Sequence, residues 1–150
     1  NIKKTKNRKV IILGYGGASH AIHYVLKKRG FKDILIFNRS KKKIKYSNKT
    51  QYTKTYSDLE THLNGVFLII NTTPINPILK KHLSLVTKST IVSDIVYSPK
   101  NTSFLKQFPN NKKIYGISML IEQAKPCFKI WFGKNPSVDE KMLNTIYKKI

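Results

Sequence analysis

Short, continuously apolar runs alternate along this chain with stretches whose apolar residues recur at helical spacing, the pattern of a parallel sheet with helical crossovers. Val10-Ile11-Ile12-Leu13 is apolar and largely β-branched without interruption, as a strand buried on both faces requires. From Ser19 to Arg29, residues Ala21, Ile22, Val25 and Leu26 trace a helical stripe, and Gly30 stands where that helix would stop. Ile34-Leu35-Ile36-Phe37 is the second expected strand and Tyr52 to Tyr56 a short third, with a helix expected to start over Lys41 to Tyr46 between them.

The capping-box spacing of Ser57-Asp58-Leu59-Glu60 predicts a brief helix from Ser57. Val66 to Ile70 reads as strand four, ended by Asn71-Thr72-Thr73-Pro74, and a helix is expected near Ile78 to Leu83. Thr90 to Val96 supplies strand five, Thr102 to Phe108 a helix, and Lys113 to Tyr115 strand six. Ser118 to Phe132 is helical, with Pro126 inside it, and a second capping box, Ser137-Val138-Asp139-Glu140, opens the last helix. The sum is an α/β, doubly wound, mostly parallel six-stranded sheet with helices on both faces, in one domain spanning all 150 residues.

Composition narrows the class. No apolar run approaches the roughly 20 residues that cross a bilayer, so no membrane partner is expected. The single cysteine, Cys127, cannot form an internal disulfide, which fits a reducing, cytoplasmic setting. His20, His23, His62 and His82 lack the spacing of a metal site. The formal charge of +22 raises the question of nucleic acid, but the basic residues are nearly all Lys and are scattered over every segment. No specific nucleic-acid partner is therefore expected, only salt-sensitive adhesion to polyanions.

The glycine turn carries the chemistry. Gly14-Tyr15-Gly16-Gly17-Ala18-Ser19 follows a buried strand and opens a helix, the context a dinucleotide fingerprint requires. Glycine at 14 permits the tight turn, and glycine at 16 lets backbone N–H groups approach a pyrophosphate. Ser19 occupies the third fingerprint place, with Ala18 and Ala21 expected to keep helix and sheet close. In NAD-binding versions of this Rossmann-like arrangement a carboxylate ends the second strand. Here that strand runs into Asn38-Arg39-Ser40 and Lys41-Lys42-Lys43. A guanidinium in place of a carboxylate favours the 2′-phosphate of NADP.

The glycine turn, Asn38-Arg39-Ser40, Asn71-Thr72-Thr73-Pro74, Asp94-Ile95-Val96-Tyr97-Ser98-Pro99 and Gly116-Ile117-Ser118-Met119-Leu120-Ile121-Glu122-Gln123-Ala124, followed by Phe128, Trp131 and Gly133, together resemble the shikimate dehydrogenases in order and spacing. The resemblance implies reversible reduction of 3-dehydroshikimate to shikimate with NADPH, in aromatic amino-acid biosynthesis. It implies that Gly14, Tyr15, Gly16, Gly17 and Ala18 hold the pyrophosphate and that Asn38, Arg39, Ser40 and Lys43 surround the 2′-phosphate. Thr72 and Thr73 are expected along the cofactor, Ile95, Gly116 and Met119 near the nicotinamide, and Tyr97 and Gln123 at the substrate.

Two departures matter. The family's catalytic Lys and Asp belong to a substrate domain that comes first in the chain, and nothing here matches it; no catalytic residue is expected in this sequence. The sequence also begins in a lysine-rich stretch without a methionine, as the downstream part of something longer would. Residues 137–150 are then expected to pack on that absent domain, leaving Met142, Leu143 and Ile146 exposed here, a face compatible with homodimerisation. Second, Asn76-Pro77 stands where the family often has Gly-Met. A nucleotide-sensing module without chemistry and a basic nucleic-acid binder sharing the fold are the competing readings.

Overall fold

The computed structural model describes residues 7–44 and 50–149. Six strands form one sheet: β1 (Lys9–Leu13), β2 (Ile34–Asn38), β3 (Lys54–Thr55), β4 (Val66–Asn71), β5 (Ile91–Asp94) and β6 (Lys113–Ile114). Their order is β3-β2-β1-β4-β5-β6, and every neighbouring pair is parallel. The helices are α1 (Gly17–Lys28), α2 (Ser103–Lys106), α3 (Gly116–Phe132) and α4 (Glu140–Lys149). This is the expected doubly wound α/β fold.

The two faces of β1 explain the layering. Ile12 joins Ile36 and Ile44 in one buried cluster, against which Ile22 and Leu26 of α1 pack. Its neighbours Ile11 and Leu13 point the other way, into the larger cluster of Phe37, Ile69, Val92, Phe104 and Leu105. Each such side chain contributes roughly 1.5–3 kcal/mol on burial, so an uninterrupted apolar strand is stable only between two covered faces.

Several local expectations are corrected. The buried stripe of α1 runs through Ser19, Ile22, His23 and Leu26, while Ala21 and Val25 are exposed. Ser19, not Ala21, therefore permits the close approach to the sheet. His23 lies in this buried stripe, and burial, then Lys27, pushes its pKa below the usual 6.5. Gly30, at φ 86°, ends α1 as foreseen: its N–H bonds Lys27 O (2.8 Å) and the Phe31 N–H bonds Leu26 O (3.0 Å), closing the last carbonyls.

No helix begins at Lys41. Residues 41–44 instead run against 51–53 through a Lys43–Tyr52 antiparallel bridge, and the remainder of that expectation falls outside the described residues. The brief helix at Ser57 becomes two single 3-10 turns, Tyr56–Asp58 and Glu60–His62. The capping pair there is Thr55 with Asp58, whose carboxylate accepts from both the N–H (3.2 Å) and the hydroxyl (2.9 Å) of Thr55. The helix expected at Ile78 is a 3-10 segment, Lys80–Leu85. Asp139, not Ser137, caps α4 by accepting the Met142 N–H at 2.7 Å. At Thr55–Asp58 and at Asp139 the tertiary path selected which of the adjacent capping side chains meets the free N–H groups.

Candidate functional site

Strand order reverses between β1 and β4, which opens a crevice beyond their carboxyl ends, the place where such sheets bind ligands. Gly14 leaves β1 there with φ 102°, its N–H bonded to Phe37 O at 2.7 Å. A side chain at this position would stand 2.6 Å from both Thr72 Oγ1 and Thr73 Cγ2, so glycine is required by conformation and by space. Thr72 donates its hydroxyl to Leu13 O (2.7 Å), tying the end of β4 to the turn.

Gly16 and Gly17 are exposed, with nothing within 4 Å of where a Cβ would lie. Gly16 is the N-cap of α1 and supplies no side-chain cap, and the first turn carries no acidic residue. The N–H groups opening α1 therefore face an unobstructed space with the positive end of the helix dipole behind them. An anion fits this cradle.

The basic loop lies beside it. Tyr15 donates its hydroxyl to Lys43 O (3.3 Å), so the glycine turn touches the loop after β2 directly. Asn38 Nδ2 donates to Ser40 O at 3.1 Å, turning the chain back on itself. Arg39, Ser40 and Lys43 are exposed, and no ion pair among the described residues involves Arg39 or Lys43. Arg39 lies near enough to Tyr56 to oppose the rise in that phenol's pKa caused by burial.

On the other side of the crevice, Thr72, Thr73, Ile95 and Tyr97 line a cleft of about 450 Å³. Gly116, the first residue of α3, is buried against the Ile95 carbonyl; a Cβ there would overlap it and sit 2.7 Å from Val96 O. Met119 is 37% exposed and Trp131 74%, so neither belongs to this domain's core. Gln123 is not part of that cleft. It lines a separate apolar groove of about 810 Å³ between α3 and α4, with Phe128, Trp131 and Met142.

Three residues that the motifs gave no individual role organise the cleft. Asp94 is 1% exposed, and its carboxylate accepts from Thr102 Oγ1 (2.6 Å), the Val96 N–H (3.1 Å) and Asn71 Nδ2 (3.3 Å). Asn71 in turn accepts from the Thr73 N–H and hydroxyl (3.1 and 2.8 Å) and donates to Thr73 O and Ile75 O (both 3.1 Å). A buried carboxylate without partners is costly, so this network holds the ends of β4 and β5 in one arrangement. A lone Asp ending an apolar strand, in a chain with 7 acidic residues, was the available sequence signal. Asn76, at the position that departs from the family pattern, accepts the Ile78 N–H (3.1 Å) and anchors the loop that follows β4.

Residues 1–114 match the family model described as Shikimate / quinate 5-dehydrogenase. The chain belongs to this family. A shikimate dehydrogenase (NADP(+)) of Methanocaldococcus jannaschii is 34% identical, with 99% of this chain and 58% of that protein covered. A shikimate dehydrogenase crystallised with NADP+ superimposes with a TM-score of 0.72 at 29% identity, covering 97% of this chain and 55% of that one. A shikimate 5-dehydrogenase of Listeria monocytogenes, crystallised with shikimate and NAD, gives a TM-score of 0.69 at 25% identity, covering 93% and 56%. The chain thus spans little more than half the length of the relatives it matches. Among the described residues no helix is long and apolar enough to cross a membrane, and no group of three or more His, Cys, Asp or Glu is placed to hold a metal.

Proposed function

We propose that this chain is the NADP-binding, carboxyl-terminal half of a shikimate dehydrogenase, an oxidoreductase that interconverts 3-dehydroshikimate and shikimate. The observation that carries the NADP assignment is Arg39: an exposed guanidinium at the end of β2, without an ion pair among the described residues, where an NAD site has a carboxylate, beside the open glycine turn. Gly14, Tyr15, Gly16, Gly17 and Ala18 hold the pyrophosphate against the start of α1. Asn38 shapes the loop from which Arg39, Ser40 and Lys43 meet the 2′-phosphate. Bound NADPH supplies the hydride.

The rest of the chain's part is positional. Thr72 and Thr73 border the cofactor, and Ile95, Gly116 and Met119 form the nicotinamide side, where Gly116 lets the start of α3 approach the end of β5 closely. Tyr97 and Gln123 are the substrate-facing groups; their separation between cleft and groove supports a substrate held between this domain and another. Proton transfer to the ketone oxygen requires a positioned acid within hydrogen-bond reach, and no residue here is assigned to it. That role belongs to an amino-terminal substrate domain, for which the length of the relatives speaks. The exposed side chains Phe128, Ile130, Trp131 and Phe132, with Met142 of the terminal helix in residues 137–150, are the surface that domain covers.

The test is titration of NADPH and NADH against wild type and Arg39→Asp. Wild type should prefer NADPH, and the variant should lose about tenfold to a hundredfold in NADPH affinity, the worth of one charge-assisted hydrogen bond, with NADH little changed. Equal loss for both coenzymes would refute the 2′-phosphate assignment. The chain alone should reduce 3-dehydroshikimate negligibly, and adding the substrate half should restore turnover.

A further inference from the structure

Thr53 precedes β3 and is 1% exposed, yet its hydroxyl is engaged at both ends with a loop more than ten residues away. Its Oγ1 donates to Ser40 O (3.2 Å) and accepts the Lys42 N–H (2.9 Å). Its own N–H donates to Lys42 O (2.9 Å). Ser40 O also receives Asn38 Nδ2, so one carbonyl gathers both pins of the turn. The loop between them is the one that carries Arg39, Ser40 and Lys43. A buried hydroxyl that donates and accepts at once is chemistry that serine shares and valine, its near-isostere, lacks.

We propose that Thr53 is a positioning residue for coenzyme selectivity: without touching the ligand, its hydroxyl sets the course of residues 38–43 so that Arg39, Ser40 and Lys43 converge on the phosphate of the adenosine ribose. The inference rests on the NADP reading above. Removing the hydroxyl leaves Ser40 O with one partner fewer and the Lys42 N–H with none from Thr53, and the turn relaxes toward water. The glycine turn meets this loop through the Tyr15 hydroxyl on Lys43 O, but its backbone has anchors of its own, Gly14 N–H to Phe37 O and the Thr72 hydroxyl to Leu13 O. Pyrophosphate binding, which both coenzymes share, is therefore spared, and only the phosphate-specific part of affinity falls.

The experiment compares NADPH with NADH, and 2′,5′-ADP with 5′-AMP, on wild type, Thr53→Val, Thr53→Ala and Thr53→Ser. The expected result is a loss of about tenfold for NADPH and 2′,5′-ADP in the Val and Ala variants, a change within about twofold for NADH and 5′-AMP, and recovery of the preference by Ser. A purely structural role would weaken both members of each pair alike. That outcome, an unchanged NADPH to NADH ratio, or failure of both hydroxyl-free variants to fold overturns the proposal. If wild type itself shows no preference for the 2′-phosphate, the parent NADP reading fails first, and it is distinguished by being visible before any variant is made.

Discussion

Replacing Gly16 by alanine separates binding from folding at the crevice. Gly16 has φ −109° and ψ −168°, extended backbone open to any residue, and nothing lies within 4 Å of the added methyl. Alanine is a poorer N-cap than glycine, but the cost to stability should stay within about 1 kcal/mol. The methyl would nevertheless occupy the surface across which a diphosphate approaches the N–H groups of α1. Pushing it outward weakens one or two charge-assisted hydrogen bonds, so NADPH affinity should fall about tenfold to a hundredfold. Gly14→Ala is the contrasting control. At φ 102°, with Thr72 Oγ1 and Thr73 Cγ2 each 2.6 Å from the new methyl, strain and overpacking should together cost about 2–6 kcal/mol. That is a large share of the roughly 5–15 kcal/mol a domain commonly has. Urea unfolding reads the stabilities, and quenching or enhancement of NADPH fluorescence reads the binding. Wild-type NADPH affinity in Gly16→Ala, or wild-type stability in Gly14→Ala, would show that the two glycines do not divide the work in this way.

Thr102→Val removes a charge-assisted bond to Asp94 and the N-cap bond to the Leu105 N–H, and should cost about 2–4 kcal/mol by urea unfolding, with Thr102→Ser close to wild type; a loss under 1 kcal/mol would mean Asp94 finds another donor. His23, His62 and His82 are each held below their usual 6.5, chiefly by burial. The unfolded chain therefore binds more protons near and below that pH, so their contribution is full above 6.5 and is lost as pH falls toward the depressed folded values; an urea midpoint that stays flat from pH 7.5 to 5.5 would contradict this. Trp131 is the chain's one tryptophan and is 74% exposed, so its emission should be red-shifted alone and move to the blue when the substrate half is added; no shift on restoring turnover would place that half elsewhere.

The sequence by itself determined the architecture and the location of the crevice. β-Branched runs such as Val10 to Leu13 fill both faces of a sheet wherever they sit, and a glycine turn between strand and helix has one geometry that serves. The replacement of a carboxylate by Arg39 was equally local, because the sign of a charge is visible without coordinates. The tertiary structure decided which polar group meets which. Ser19 and His23, not Ala21 and Val25, face the sheet because the rotation of α1 is set by packing over Ile12 and Ile36, and two stripes one residue apart look alike in sequence. Thr55 and Asp139 took the caps from Ser57 and Ser137 because the path of the chain into each turn settles which oxygen lies near a free N–H. The Asn71–Asp94–Thr102 network and the hold of Thr53 on residues 40 and 42 join strand ends to distant loops, and hydrogen bonds of that kind leave no periodicity behind.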